Sequence, residues 1–218
     1  MNDLEKFVYE KKHRVINKYP HYFEVYERHF SRFRGKEVTL VEIGIGSGGS
    51  LQMWADYLGP KARIIGVDIA ECGSYVDKDH PQISWIRGDQ GSVDFLRELK
   101  TRFPVIDILI DDGGHLCRDQ ILTFAELYPH VSPEGVYLCE DMQTSYSEQH
   151  GGGYLKIGSF VEFSKMMVDW INAWSFECPG FDRFARSTYS VNFYCGALVV
   201  EKRPMETVLR SPIYEGEA

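Results

Sequence analysis

The sequence predicts an α/β fold: a mostly parallel sheet with an antiparallel C-terminal hairpin and an N-terminal helical cap. From residue 38 onward, short apolar runs alternate with longer amphipathic segments, the pattern of βαβ units with helices on both faces of a sheet. The last apolar stretch, residues 189–202, has no helical segment between its halves, so these halves should pair as a hairpin. A chain of 218 residues, 44% of them hydrophobic, can form one domain over 1–218, with residues 1–35 as the cap.

The N-terminal cap is predicted to be helical. Apolar residues recur near the spacing of a helix from residue 3 to residue 34, with a break at Pro20. After the break, Tyr22, Tyr26 and Phe30 stand four residues apart and form one aromatic stripe. The stripe either packs the cap against the sheet or covers a bound ligand, and the sequence leaves both interpretations open.

Five parallel strands and four helices follow the cap in alternation. The strands are predicted at residues 38–44, 62–69, 83–89, 105–111 and 135–141. The helices are predicted at residues 49–58, 93–103, 119–131 and 160–174. The stretch 146–159 contains too much glycine for the interior of a helix or strand, so we predict a mobile loop after the fifth strand.

The composition argues against nucleic-acid and membrane partners. The net charge is −8, whereas nucleic acids and anionic membranes attract basic surfaces. No apolar run reaches the ~18 residues of a membrane span, and the charged start lacks the apolar core of a signal peptide, so we expect a cytoplasmic location. The five cysteines show no CxxC spacing and are expected to be free thiols, without disulfide or zinc: Cys72, Cys117, Cys139, Cys178 and Cys195.

The most informative pattern lies at the ends of the predicted strands. In an open parallel sheet, ligands bind beyond the carboxyl ends of the strands. Every parallel strand of this sequence ends in glycine or in an acidic residue. These strand-end residues are Gly44 to Ser50, Asp68, Asp89 with Gln90, Asp111 with Asp112, and Glu140 with Asp141. The sequence therefore predicts one ligand site at this edge of the sheet.

The first strand ends predict a nucleoside cofactor. The segment VEIGIGSGGS has GxGxxG spacing between a strand and a helix, and Asp68 ends the next strand, where it would accept hydrogen bonds from ribose hydroxyls. NAD and S-adenosylmethionine both fit this pattern. Glu42 would repel a pyrophosphate but suits a ligand with a positive amino group, so we favour S-adenosylmethionine, with Asp89 near the adenine amino group. The predicted cofactor-binding residues are Glu42, Gly44, Gly46, Ser50, Asp68, Asp89, Gln90 and Asp111.

The later strand ends predict a divalent metal ion and a base. Asp112, Glu140 and Asp141 end two neighbouring strands, and three converging anions repel one another unless a cation lies between them. Ligation by carboxylates alone favours a hard ion such as Mg²⁺ over zinc. The alternative is that one or two of these residues only cap the following helices. His115 follows two glycines, and a neutral imidazole at this point is suited to act as a general base.

These motifs resemble the magnesium- and S-adenosylmethionine-dependent sugar O-methyltransferases, which modify rhamnose or related deoxysugars of natural products. The resemblance is carried by VEIGIGSGGSLQMW, GVDI, GDQGS, DILIDDGGH and EDMQTSY, and it covers about residues 38–147. It implies a class I methyltransferase Rossmann-like sheet. It also implies that Asp112, Glu140 and Asp141 are metal ligands and that His115 is the base.

The resemblance further implies the reaction. A methyl group would pass from S-adenosylmethionine to a sugar hydroxyl of a glycosylated natural product or polysaccharide, with two neighbouring hydroxyls chelated by Mg²⁺. Tyr146 would contact this substrate. The chain departs from the family at Gly114, where relatives carry serine. We expect a glycoside or other small-molecule substrate, no nucleic-acid or membrane partner, and leave a homo-oligomer open.

Four other functions stay open at this point. A catechol-type O-methyltransferase would apply the same metal chemistry to an aromatic diol, and a cephalosporin-hydroxylase-like relative would share part of the motif set. An NAD dehydrogenase would use the same glycine-rich turn. A non-enzymatic binding module would not need His115 beside a metal ion.

Overall fold

The computed structural model describes residues 1–12, 14–71, 80–175 and 182–204. Over these residues the chain forms one seven-stranded sheet in the order β3-β2-β1-β4-β5-β7-β6. The strands are β1 (Thr39–Ile43), β2 (Arg63–Asp68), β3 (Ile83–Arg87), β4 (Ile106–Asp111), β5 (Val131–Cys139), β6 (Thr188–Tyr194) and β7 (Ala197–Lys202). Strands β1 to β5 are parallel, whereas β7 runs antiparallel to both β5 and β6. The predicted sheet and its C-terminal hairpin are confirmed.

Helices cover both faces of the sheet, as the alternating pattern predicts. They are α1 (Asp3–Glu10), α2 (Tyr22–Phe30), α3 (Gly49–Leu58), α4 (Val93–Arg102), α5 (Cys117–Leu127), α6 (Phe160–Lys165), α7 (Met167–Ile171) and α8 (Asp182–Ser187). Side chains alternate along each strand, so Leu40 packs with α1 to α3 on one face and Val41 packs with α4 to α7 on the other. None of the helices in the described ranges is long and apolar enough to cross a bilayer.

The N-terminal cap is less helical than its periodicity predicts. Helix α1 begins with a capping box between Asn2 and Glu5, but it ends at Glu10, well before the expected break at Pro20. Residues 11–12 and 14–19 form no helix, and the Arg14 amide donates to the side-chain oxygen of Gln52 at 2.9 Å. Contacts with the rest of the chain therefore override the local helical spacing.

Two other segments differ in detail from the sequence expectation. The helix predicted at 160–174 forms as α6, α7 and a 3₁₀ turn at Ala173–Ser175. The glycine-rich loop predicted at 146–159 contains a 3₁₀ turn at Glu148–His150 and follows another at Met142–Tyr146, both with backbone hydrogen bonds, and its mobility stays a prediction. The described cysteines, Cys117, Cys139 and Cys195, are free thiols; Cys72 and Cys178 lie outside the described residues.

The strand register brings the functional strand ends together. Ile43 at the end of β1 pairs with Asp111 of β4, and Asp111 pairs with Cys139 of β5. Backbone hydrogen bonds continue one residue further, from the Asp112 amide to Ile43 and from the Glu140 amide to Asp111, both at 2.9 Å. The carboxylates that follow β4 and β5 therefore leave the sheet side by side.

Candidate active site

A cavity of about 720 Å³ lies beyond the carboxyl ends of the parallel strands. This volume is within the usual range for a small-molecule or cofactor site. Nine of the predicted site residues line it: Gly44, Gly46, Ser50, Asp68, Asp89, Gln90, Asp112, His115 and Asp141. The remaining four, Glu42, Asp111, Glu140 and Tyr146, do not line it. The structure thus gathers most strand-end residues around one space.

The side chain of Asp68, which the sequence predicts to bind a ribose, forms hydrogen bonds with the glycine-rich turn. The Oδ2 atom of Asp68 accepts hydrogen bonds from the backbone amides of Ile45 at 3.1 Å and Gly46 at 3.3 Å. Gly44 has φ +85°, and a Cβ atom at this position would overlap the carbonyl oxygen of Asp112. Asp68 therefore fixes the shape of the turn, while its contact with a ribose stays a prediction.

Glu42 lies behind the cavity wall rather than in it. Its carboxylate is buried, and Oε2 accepts hydrogen bonds from Ser50 Oγ at 2.7 Å and Trp54 Nε1 at 3.2 Å. Oε1 lies 3.0 Å from Lys18 Nζ. Both oxygens are thus engaged within the chain, and a direct contact between Glu42 and a cofactor stays a prediction.

Asp111 supports the turn that carries His115. Its oxygens accept hydrogen bonds from Gln90 Nε2 at 3.0 Å and from the Tyr137 hydroxyl at 3.3 Å. Burial raises the pKa of Asp111 to about 7. Gln90 in turn accepts a hydrogen bond from the Gly114 amide at 2.9 Å. Asp111 therefore acts on the turn through Gln90, although the sequence leaves it as a candidate cofactor ligand.

Gly113→Ala should lower the free energy of unfolding by about 1–3 kcal/mol, because a Cβ atom there would overlap Gln90 Oε1 and disturb its hydrogen bond to Gly114. Gly114→Ser is the matched control, since no heavy atom lies within 4 Å of a Cβ at that position. Urea unfolding of the two variants checks this expectation. Equal midpoints for Gly113→Ala and the native chain would contradict it.

An outer cluster, Asp112, His115 and Asp141, borders the cavity. Each of these residues offers one potential metal ligand, and these atoms lie within 4.8 Å of one another. His115 Nε2 is 3.5 Å from Asp141 Oδ2, and the buried Nδ1 atom has no hydrogen-bond partner among the described residues. His115 and Asp141 both adopt a left-handed backbone conformation with φ 55°. Such conformations are costly for non-glycine residues and concentrate at functional sites.

An inner cluster, Glu42, Asp112 and Glu140, holds the ammonium group of Lys18. The Nζ atom lies 3.0, 2.7 and 2.8 Å from the three carboxylates in that order. The Lys18 side chain is only 3% exposed. Burial opposes its charge, but the surrounding carboxylates, Glu140 foremost, hold the pKa of Lys18 well above its usual value. The three carboxylates therefore favour the charged form of Lys18 within the site.

The predicted metal triad is divided between the two clusters. Glu140 belongs to the inner cluster, Asp141 to the outer cluster and Asp112 to both. Sequence reasoning missed Lys18. The signal that points to it is the excess of strand-end acids, which demands positive charge but does not say whether a metal ion or a side chain supplies it.

The aromatic stripe of α2 serves packing and the site together. Tyr26 packs against Phe30 and Trp54, and its hydroxyl donates to Glu140 Oε1 at 2.8 Å. The Tyr22 hydroxyl donates to Asp141 Oδ1 at 3.1 Å. The stripe therefore packs the cap against the sheet, and the hydroxyls of Tyr22 and Tyr26 also reach the acidic residues, whereas its role as a cover over a bound ligand stays a prediction.

Tyr146 lies at a second cavity rather than at the first. This cavity has a volume of about 350 Å³. Its wall includes Met142 and Gln143, which directly follow Asp141, together with the apolar side chains of Val161 and Phe193. The Tyr146 side chain is half exposed there. A contact with substrate stays a prediction for this residue.

The chain is similar in sequence to enzymes that methylate sugars of natural products. It is 41% identical over 134 residues to mycinamicin VI 2''-O-methyltransferase of Micromonospora griseorubida, which covers 58% of the chain and 33% of that protein. It is 34% identical over 203 residues to a tetracenomycin-C rhamnosyl 3'-O-methyltransferase of Streptomyces olivaceus. This match covers 84% of the chain and 49% of that protein. The chain thus spans a third to a half of the length of these relatives. No protein-family model matches the chain.

Solved structures agree with this similarity. The mycinamycin-pathway methyltransferase MycE, in complex with Mg and SAH, superposes with a TM-score of 0.78 at 32% identity, over 87% of this chain and 52% of that one. An O-methyltransferase from Bacillus cereus superposes with a TM-score of 0.58 at 14% identity, over 85% of this chain and 83% of that one, which shows a shared fold. The chain therefore has the class I methyltransferase fold and is a homologue of natural-product sugar O-methyltransferases.

Proposed function

We propose that this protein transfers a methyl group from S-adenosylmethionine to a sugar hydroxyl of a glycosylated natural product or polysaccharide, with Mg²⁺ as cofactor. The observation that carries the proposal is the outer cluster, which places His115 and two carboxylates on the wall of the same cavity as the glycine-rich turn. The relatives support it: MycE has been solved with Mg and SAH, and also with Mg, SAH and mycinamycin VI.

The donor set fits a hard divalent cation. Glu42, Asp112, Glu140 and Asp141 bring four carboxylates together, and Lys18 offsets one negative charge. Carboxylate oxygens are the preferred ligands of Mg²⁺. Asp112 and Asp141 would hold the ion from the outer cluster, and Glu140 would contribute the carboxylate oxygen that Lys18 and Tyr26 do not contact. When bound, it would supply positive charge to two neighbouring acceptor hydroxyls and so stabilise an alkoxide.

The glycine-rich turn and the strand ends beside it would hold the cofactor. Gly44, Gly46 and Ser50 lie at the turn and at the start of α3, and Asp68, Asp89 and Gln90 follow along the neighbouring strand ends. The glycines allow a ligand to approach the backbone closely, while Asp68 and Asp89 offer acceptors for ribose hydroxyls and the adenine amino group. The acidic surroundings also favour a ligand that carries a positive sulfonium.

His115 would act as the general base. Its imidazole takes the proton of the acceptor hydroxyl, and Asp141, 3.5 Å away, stabilises the resulting imidazolium. The acceptor oxygen then forms a bond to the methyl carbon, while the electron pair of the carbon–sulfur bond returns to sulfur. Positioning the hydroxyl and the methyl group in one cavity contributes much of the rate.

The second cavity is the proposed place for the part of the acceptor beyond its sugar. It begins at Met142, the residue after Asp141, and is lined mainly by apolar side chains and Tyr146. An acceptor sugar at the outer cluster would bring its attached group toward this cavity. Tyr146 would then pack against the acceptor rather than against the cofactor.

Chelation tests the role of the metal ion. Treatment with EDTA is expected to abolish methyl transfer to a glycoside acceptor, and addition of Mg²⁺ to restore it, because the acceptor hydroxyl then regains its electrostatic stabilisation. Turnover is measured as formation of S-adenosylhomocysteine. Activity that persists through exhaustive chelation would remove the metal ion from the proposal.

A panel of acceptors tests the substrate class. Rhamnosyl and related deoxysugar glycosides should be methylated, whereas catechols should not. Preferential methylation of catechols would replace the sugar by an aromatic diol. A thermal shift with NAD but not with S-adenosylhomocysteine would overturn the cofactor as well.

A further inference from the structure

Lys18 fills a place that is itself suited to a metal ion. Glu42, Asp112 and Glu140 each direct one oxygen to a common point, with these three atoms within 4.8 Å of one another. The Nζ atom of Lys18 occupies this point, bonded to all three carboxylates at 2.7–3.0 Å. The inner cluster therefore has a cation built into the chain.

An ammonium and a divalent ion exclude each other from the inner cluster. Both would need the same oxygens of Glu42, Asp112 and Glu140, so the inner cluster can hold only one of them at a time. Ser50 and Trp54 also donate hydrogen bonds to Glu42, but both side chains are neutral and do not replace a cation. Removal of the ammonium would leave two buried carboxylates, Glu42 and Glu140, and the partly buried Asp112 without their positive partner.

The segment that carries Lys18 is fixed at the cavity. Residues 15–18 line the cavity wall, and the Arg14 amide is bonded to Gln52 of α3. These contacts hold the backbone that carries Lys18 at the cavity wall. Because Asp112 belongs to both clusters, a cation in the inner cluster affects the binding of an ion in the outer cluster.

We propose that Lys18 is a positioning residue that occupies the inner cluster and thereby directs the divalent cation to the outer cluster, beside His115. The inference builds on the proposed metal dependence. As a consequence, the chain binds one divalent ion, in the outer cluster on the cavity side of Asp112. No second divalent ion enters the inner cluster.

The test counts bound Mn²⁺ by electron paramagnetic resonance in the full chain without cofactor or substrate. The native protein and Lys18→Arg are expected to bind one ion. Lys18→Met is expected to bind two, because the inner cluster is then free. Lys18→Met combined with Glu42→Gln is expected to bind one again, since Glu42 belongs to the inner cluster alone. Lys202→Met, which removes another buried lysine bonded to Val131, should leave the count at one.

The outcomes separate this inference from the proposed function. An unchanged count and affinity in Lys18→Met would overturn the inference. If the native protein binds no Mn²⁺ but Lys18→Met binds one ion that Glu42→Gln removes, Lys18 excludes an ion from the inner cluster as inferred, whereas the proposed metal site and the direction of an ion to it both fail. Lys18→Gln, also uncharged, is the second variant if Lys18→Met does not fold. Failure of both to fold, with and without Mn²⁺, would assign Lys18 a structural role only.

Discussion

His115→Ala is expected to slow methyl transfer by about 10²- to 10⁴-fold while binding of S-adenosylhomocysteine survives. The imidazole borders the cavity and lies 3.5 Å from Asp141 Oδ2. The glycine-rich turn that would hold the cofactor is held by hydrogen bonds to Asp68 instead of by His115. The loss should therefore appear in kcat rather than in cofactor affinity. Single-turnover rates and calorimetric titration with S-adenosylhomocysteine measure the two quantities separately.

A matched histidine variant controls for this result. His80 lies outside the cavity and accepts a long local hydrogen bond from the Gln82 amide at 3.4 Å, so His80→Ala should keep native activity. If His115→Ala retains most of its activity, the base has been assigned to the wrong residue. If it loses cofactor binding to the same extent as turnover, His115 shapes the cavity instead of moving a proton.

Gly44→Ala is expected to lower the free energy of unfolding by about 3 kcal/mol or more and to abolish cofactor binding. A Cβ atom at Gly44 would overlap the backbone of Asp112, and the backbone at φ +85° is unfavourable for alanine. The position of this Cβ is set by the Gly44 backbone, and the atoms that it overlaps are backbone atoms of Asp112 and Gly113, so no side-chain rotation relieves the overlap. The turn and the strand end of β4 would have to separate.

Gly46→Ala provides the control within the same turn. It also has a positive φ, +47°, but no heavy atom lies within 4 Å of its Cβ position. It should therefore cost about 1–2 kcal/mol through backbone strain alone. Denaturant unfolding and titration with S-adenosylhomocysteine compare the two variants. Equal losses in both would show that strain, rather than the close approach to Asp112, sets the requirement for glycine.

Most of the cavity was predictable because its residues follow strands. A strand that ends in Asp68 or Asp112 delivers its carboxylate to one edge of a parallel sheet, and this geometry follows from the alternation of strands and helices. The same reasoning found His115, since it stands three residues beyond Asp112. It did not separate residues that face the cavity from those behind it, such as Glu42 and Asp111, because burial depends on neighbouring elements.

The sequence by itself determined the fold, the edge of the sheet that carries the site, and the residue types available there. Local rules suffice for these features, since hydrophobic period and strand ends are read within a few residues. Only the tertiary structure decided how the charges pair. Lys18 meets carboxylates that lie 24, 94 and 122 residues further along the chain. No local pattern encodes such contacts, because they depend on an N-terminal segment folding across the ends of strands formed much later.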